Sequence, residues 1–127
     1  MVILPDTQQY TDNDLPMFPA QTGWIAGNKE ALNIQFVLHV GDIVNSNAIE
    51  EWKWASLSYQ ALDEAGIPYA LTVGNHDLGP LSSAGDRNTI LFNTYFGSGR
   101  FKNKEWYGGY YGEGNENNFT FFTVDDL

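Results

Sequence analysis

The chain has 127 residues, enough for one domain with a modest core, and its 43% hydrophobic and 17% charged composition is too apolar for a disordered chain. Sixteen acids against six bases give a net charge of −10, which repels nucleic-acid backbone and anionic lipid and suits metal cations. There is no cysteine, so disulfides, thiolate zinc sites and cysteine nucleophiles are excluded, and no apolar run approaches the roughly 18 residues of a membrane span. A cysteine-free chain suits either redox compartment; a secreted or periplasmic setting is expected slightly over a cytoplasmic one.

Val2-Ile3-Leu4 reads as a short buried strand stopped by Pro5. Pro19 is placed to open a helix that runs to about Leu32, with Ala20, Trp24, Gly27 and Ala31 on one face. Positions 36–40 form the second buried strand, ended by Gly41, and His39 within it reads as a satisfied structural histidine. The clearest helix covers about 48–65. Ser46 or Asn47 is expected to cap its start, and Glu50 and Glu51 suit its positive end. Ala48, Trp52, Ala55, Tyr59 and Leu62 make its apolar stripe, while Trp54 falls towards the rim. Gly66 closes this helix, Pro68 follows, and positions 69–73 form the third strand, ended by Gly74.

Beyond Gly74 a loop rich in Gly and Ser covers 78–87, and a short helix is expected over 89–96, closed by Gly97. Tyr110-Tyr111 and positions 119–124 read as an antiparallel pair around Gly112-Glu113-Gly114-Asn115, with Asp125 and Asp126 at a sheet edge. Arg100, Lys102 and Lys104 read as a solvated loop rather than a phosphate-steering patch.

The order strand, helix, strand, helix, strand makes two crossover units and predicts a parallel, right-handed α/β sheet. The carboxyl ends of such strands share one edge, where ligands bind. Each strand here ends in a polar cluster: Asp6-Thr7-Gln8, Gly41-Asp42-Ile43-Val44-Asn45 and Gly74-Asn75-His76-Asp77. Asp6, Gln8, Asp42 and Asn75 offer oxygen ligands and His76 offers nitrogen, a set that suits Mn, Fe, Zn or Mg. Asp42, on the middle cluster, has two carboxylate oxygens with which to bridge a pair of ions.

These three blocks, in this order and each after a strand, resemble the first three signature blocks of the calcineurin-like metallophosphoesterases. The resemblance covers the chain well up to about Asp77. It implies a layered α/β sandwich whose N-terminal βαβαβ portion has parallel strands, followed here by a C-terminal β-hairpin. It also implies metal-dependent hydrolysis of phosphomonoester or phosphodiester bonds at a two-metal centre. Asp6 and Gln8 would bind the first ion, Asp42 would bridge, and Asn75 would bind the second. His76 would give a proton to the leaving oxygen, with Asp77 orienting it. The implied partner is a phosphate-ester substrate, small or macromolecular, with no specific nucleic-acid or membrane binding.

The chain departs from the family pattern in three places. Many members have His where this chain has Gln8, and Asp is frequent where it has Asn45. The family completes its site with further histidines from the C-terminal half, whereas this chain has only His39 and His76. Residues 1–127 are therefore expected to form a partial domain whose remaining ligands come from elsewhere, with an exposed sheet edge open to self-association. Two rival readings follow. One is a non-catalytic folded fragment or binding module with a residual single-metal site. The other is a carboxylate hydrolase of the glycosidase kind, for which no carboxyl pair stands out.

Overall fold

Three short apolar runs pair side by side in the order in which they occur in the chain. The computed structural model describes residues 1–13, 15–82 and 85–124. Strand β1 (Val2–Leu4) lies parallel to β2 (Val37–His39), with Val2 opposite Val37 and Leu4 opposite His39. Strand β2 lies parallel to β3 (Tyr69–Leu71), with Val37 opposite Tyr69 and His39 opposite Leu71. Helices α1 (Gln8–Thr11) and α2 (Met17–Gly27) make the first crossover, and α3 (Ile49–Ser58) and α4 (Gln60–Glu64) the second. The predicted βαβαβ unit with a parallel sheet is therefore present.

After the sheet come α5 (Ile90–Phe96), α6 (Ser98–Phe101) and an antiparallel hairpin of β4 (Tyr107–Tyr110) and β5 (Asn118–Thr120). The hairpin leans on β3, where the Asn118 side-chain amide donates to Leu71 O at 3.1 Å. The outer edge of β1 has no strand partner among the described residues, and Ile3 on it is 56% exposed. The expectation for Asp125 and Asp126 lies outside the described residues.

Aromatic rings fill much of the core, while Trp24, Tyr110, Tyr111, Phe119, Phe121 and Phe122 stay exposed. Trp52, Ala55, Tyr59 and Leu62, four members of the predicted stripe, are fully buried. Trp52 meets Phe92 and Phe96 of α5 edge-on, with centroids 5.9 and 6.2 Å away. Tyr59 sits among Phe18, Tyr69 and Phe96 at 5.7, 4.9 and 5.2 Å. Such offset and edge-to-face pairs add to simple area burial. Trp54 is half-buried and donates its indole N–H to Leu15 O, as its rim position suggests.

Several expectations need correction; the first helix, expected from Pro19 to about Leu32, spans Met17–Gly27. The predicted helix over 48–65 is two helices with a break at Tyr59. Its start is capped neither by Ser46 nor by Asn47; the Glu51 carboxylate instead accepts the N–H groups of Ser46 and Ala48 at 2.9 and 3.1 Å. Helix α2 buries Phe18, Thr22 and Ile25, while Ala20, Trp24 and Gly27 face solvent. Thr22 is acceptable inside because its hydroxyl bonds to Ser58 O at 2.5 Å, a partner on another helix that periodicity does not reveal.

Arg100 belongs to the packing rather than to a loop face. It pairs with Asp63 at 2.7 Å, donates to the Tyr69 hydroxyl and Ser56 Oγ at 2.8 Å each, and lies 4.6 Å from the Phe96 ring centroid. It is thereby committed to structure and not to steering phosphate.

Candidate metal centre

The sheet ladder stops just short of the polar clusters. Its last links are Val40 N to Leu4 O at 3.3 Å and Thr72 N to His39 O at 3.2 Å. Beyond them the three strands release the loops that carry Asp6, Asp42 and Asn75, all at the carboxyl edge.

Loops one and two are joined directly, since Thr7 N donates to Asp42 O at 3.1 Å. Loops two and three are joined through His76 N, which donates to Asp42 Oδ1 at 2.9 Å. Asp42 itself has φ +52, an uncommon left-handed conformation for a residue with a Cβ. Gly41 and Gly74 meet so closely that no side chain fits between them. A Cβ on Gly41 would stand 2.8 Å from Gly74 N, and one on Gly74 would stand 2.2 Å from Asp42 Oδ1. Both glycines are thus required by clearance, and Gly41 also by its φ of +98.

Within the first loop, Asp6 Oδ1 accepts Gln8 N at 2.9 Å and Asp6 Oδ2 accepts Gln8 Nε2 at 2.7 Å. This orientation commits the amide nitrogen of Gln8 and leaves its Oε1 buried with no hydrogen-bond partner among the described residues. An orphaned carbonyl oxygen beside a carboxylate is costly unless something electropositive meets it. Asp6 and Gln8 therefore present oxygen donors that suit a cation. Among the described residues, no group of three His, Asp or Glu side chains is placed to hold a metal ion. The amides of Gln8 and Asn75 make up half of the predicted donor set and lie outside that class.

His76 is half-buried, and its Nδ1 lies 2.6 Å from the backbone oxygen of Asn45. A carbonyl only accepts, so Nδ1 carries a hydrogen and Nε2 is the free nitrogen. The Ser82 hydroxyl also reaches Asn45 O, and lies 3.1 Å from His76 O.

Asp77 is fully buried and turned away from His76 towards backbone. Its Oδ1 accepts Ile43 N at 2.8 Å and Val44 N at 3.0 Å, and its Oδ2 accepts Gly74 N at 2.8 Å. Burial pushes its pKa up to about 6; the three N–H groups pull the other way, and the charge of Asp42 adds to the rise.

His39 is also fully buried. Gly41 N donates to its Nδ1 at 3.1 Å, so its Nε2 carries the hydrogen and gives it to Thr7 Oγ1 at 3.0 Å; Thr7 in turn donates to Ile43 O at 3.0 Å. Desolvation lowers its pKa to about 4, against a smaller opposing pull from Asp6. His39 is thus a satisfied neutral histidine, as the strand pattern suggests. Thr7 and the Asn45 carbonyl were not picked out by sequence reasoning. A threonine between two candidate ligands, facing a strand histidine, was the one signal for Thr7; a backbone carbonyl leaves none.

A parallel βαβαβ sheet with a polar carboxyl edge and a following hairpin defines a layered α/β sandwich of the metallophosphoesterase kind. The family model for calcineurin-like phosphoesterases matches residues 3–127, and the chain belongs to that family. It is also 45% identical over 111 residues to the uncharacterized protein YvnB of Bacillus subtilis strain 168, a match covering 87% of this chain and 8% of that protein. The chain therefore spans a small fraction of that relative's length. No solved structure matches significantly.

Proposed function

We propose that this chain supplies the N-terminal ligands of a two-metal phosphoesterase centre, and that the protein containing it hydrolyses phosphomonoester or phosphodiester bonds. The observation that carries this reading is the buried, unpartnered Oε1 of Gln8, fixed in place by Asp6. Asp6 and Gln8 would hold one ion, Asn75 a second, and Asp42 would bridge them. Bound divalent ions of the Mn, Fe, Zn or Mg type would polarise the phosphate and lower the pKa of water.

The chain's own contribution is orientation and a proton. The Asn45 carbonyl holds the Nδ1 hydrogen of His76, which leaves Nε2 with a lone pair; Nε2 would take up a proton to give the imidazolium and would then pass that proton to the leaving oxygen. A groove of about 600 Å³ runs along Ser46, Asn47, Ile49, Gly79, Leu81 and Ile90, beginning one residue after Asn45 and three after His76, and would seat part of the substrate.

The test is a calorimetric Mn²⁺ titration of the chain and of Asp42→Ala. With further ligands expected from outside the chain, weak binding that Asp42→Ala abolishes is the expected result. No binding, or binding that the substitution leaves unchanged, would overturn the assignment. A second reading, a folded module with a residual single-ion site, is favoured by the lack of three converging His, Asp or Glu side chains among the described residues. Phosphatase assays on a chain that extends past residue 127 separate the two: activity lost with His76→Ala supports the first, and none supports the second.

A further inference from the structure

Asp77 and His39 sit beneath the candidate centre, and their hydrogen bonds go to backbone and to Thr7 rather than to any candidate ligand side chain. We propose that both are positioning residues: Asp77 sets the spacing between the Asp42 and Asn75 loops, and His39, through Thr7, sets that between the Asp6 and Asp42 loops. The proposal rests on the metal-centre reading above.

The need arises where the sheet ends. Past Thr72 and Val40 the loops no longer have a ladder to hold them in register, yet Ile43 and Val44 are fully buried and Gly74 half-buried, and their N–H groups need acceptors. Asp77 provides them. One oxygen takes the two N–H groups that follow Asp42, and the other takes the N–H that precedes Asn75. Both oxygens belong to one rigid planar group, so the two segments are held at a set separation. The tolerance is small, because Gly41 and Gly74 already touch without side chains and His76 N is bonded to Asp42 Oδ1.

His39 does the equivalent on the other side. It accepts the N–H just before Asp42, and its partner Thr7 donates to the carbonyl just after it. Thr7 is itself flanked by Asp6 and Gln8 and donates its own N–H to Asp42 O. The chain His39–Thr7–Ile43 therefore fixes the first loop against the second. Each candidate ligand lies within one or two residues of an atom held by one of these two side chains, which is the relation expected of groups that orient ligands without touching the metal.

A purely structural role would lower stability and nothing else. The test uses the whole 127-residue chain with Asp77→Asn, His39→Gln and, as a control, Ile67→Val, a core change just before β3 at the end of the strand away from the loops. Mn²⁺ affinity is measured by calorimetry where all variants are folded. Amide hydrogen exchange is measured by NMR on metal-free protein. Asp77→Asn is expected to weaken Mn²⁺ binding by about 10- to 100-fold and to speed exchange at residues 41–44 and 74–76. Ile67→Val should lose stability while keeping the wild-type affinity and local exchange pattern.

Wild-type Mn²⁺ affinity in both Asp77→Asn and His39→Gln would overturn the proposal. If Asp77→Asn does not fold, His39→Gln and Thr7→Val carry the same comparison at residues 6–8 and 41–44. If the wild type binds no Mn²⁺, the metal reading fails separately. Exchange then decides: acceleration confined to those loops upholds positioning, and uniform acceleration across the chain overturns it.

Discussion

His39→Gln should change how stability depends on pH, and the direction follows from the buried ring. In the fold, Nδ1 accepts from Gly41 N and Nε2 donates to Thr7, so a second proton would point at a donor inside the core. The folded pKa is accordingly lowered from 6.5 to about 4, chiefly by desolvation. As pH falls below 6.5 the unfolded chain takes this proton first, so between about 4 and 6.5 the unfolded state binds more protons and stability rises with pH. The contribution is complete above 6.5, is lost as pH falls towards 4, and levels off below, where both states are protonated. At about 1.36 kcal/mol per pKa unit the total is about 3 kcal/mol. Asp77 works in the opposite sense over much of the same window. Its folded pKa is raised from 3.8 to about 6, so its neutral form favours the fold below 6 and that contribution is lost as pH rises through 6. The two partly cancel in the wild type, and the comparison with His39→Gln isolates the histidine. Urea melts of metal-free protein from pH 4 to 8 should show the variant gaining on the wild type by about 3 kcal/mol as pH falls. Parallel curves would show that the pKa of His39 is not lowered in the fold, and would refute the argument from desolvation.

Three further outcomes are expected. Tyr59 is fully buried and its hydroxyl has no hydrogen-bond partner among the described residues, so Tyr59→Phe should stabilise by about 1 kcal/mol, a rise of about 4 °C in Tm for a chain of this length; a drop in Tm would reveal a hidden partner. Arg100→Ala should cost about 2–3 kcal/mol because it leaves Asp63 part-buried without its counter-ion, and a double-mutant cycle with Asp63→Asn should recover part of the loss. Sedimentation velocity should show self-association that rises with concentration and is suppressed by Ile3→Lys on the open edge of β1; a monomer at every concentration would count against that edge as the contact.

Much of this arrangement is legible in residue order. Pro5 ends the first strand where the pattern places the stop, and the stripe Trp52, Ala55, Tyr59, Leu62 is buried along its length. The three polar clusters are visible because each follows an apolar run, and a parallel sheet places all such ends on one edge. What is not legible depends on partners distant in sequence. Thr22 enters the core through Ser58 O, and periodicity alone puts Trp24 there instead. Asp77, adjacent to His76 in the chain, gives its oxygens to backbone on two loops, while His76 turns to a carbonyl of Asn45. Adjacency in sequence suggests a side-chain pair, and backbone acceptors leave no mark in a sequence.

Because the strand order β1-β2-β3 follows the chain, each strand joins an edge that is already made as the protein leaves the ribosome. Asp6, Gln8, Asp42, Asn75 and His76 are all synthesised, with the two side chains that space them, before any later segment exists. Domains generally fold N-terminal first during synthesis. Any segment that follows would therefore meet a set of donors already in place, and the early part of the chain would act as the template on which the later part is fitted.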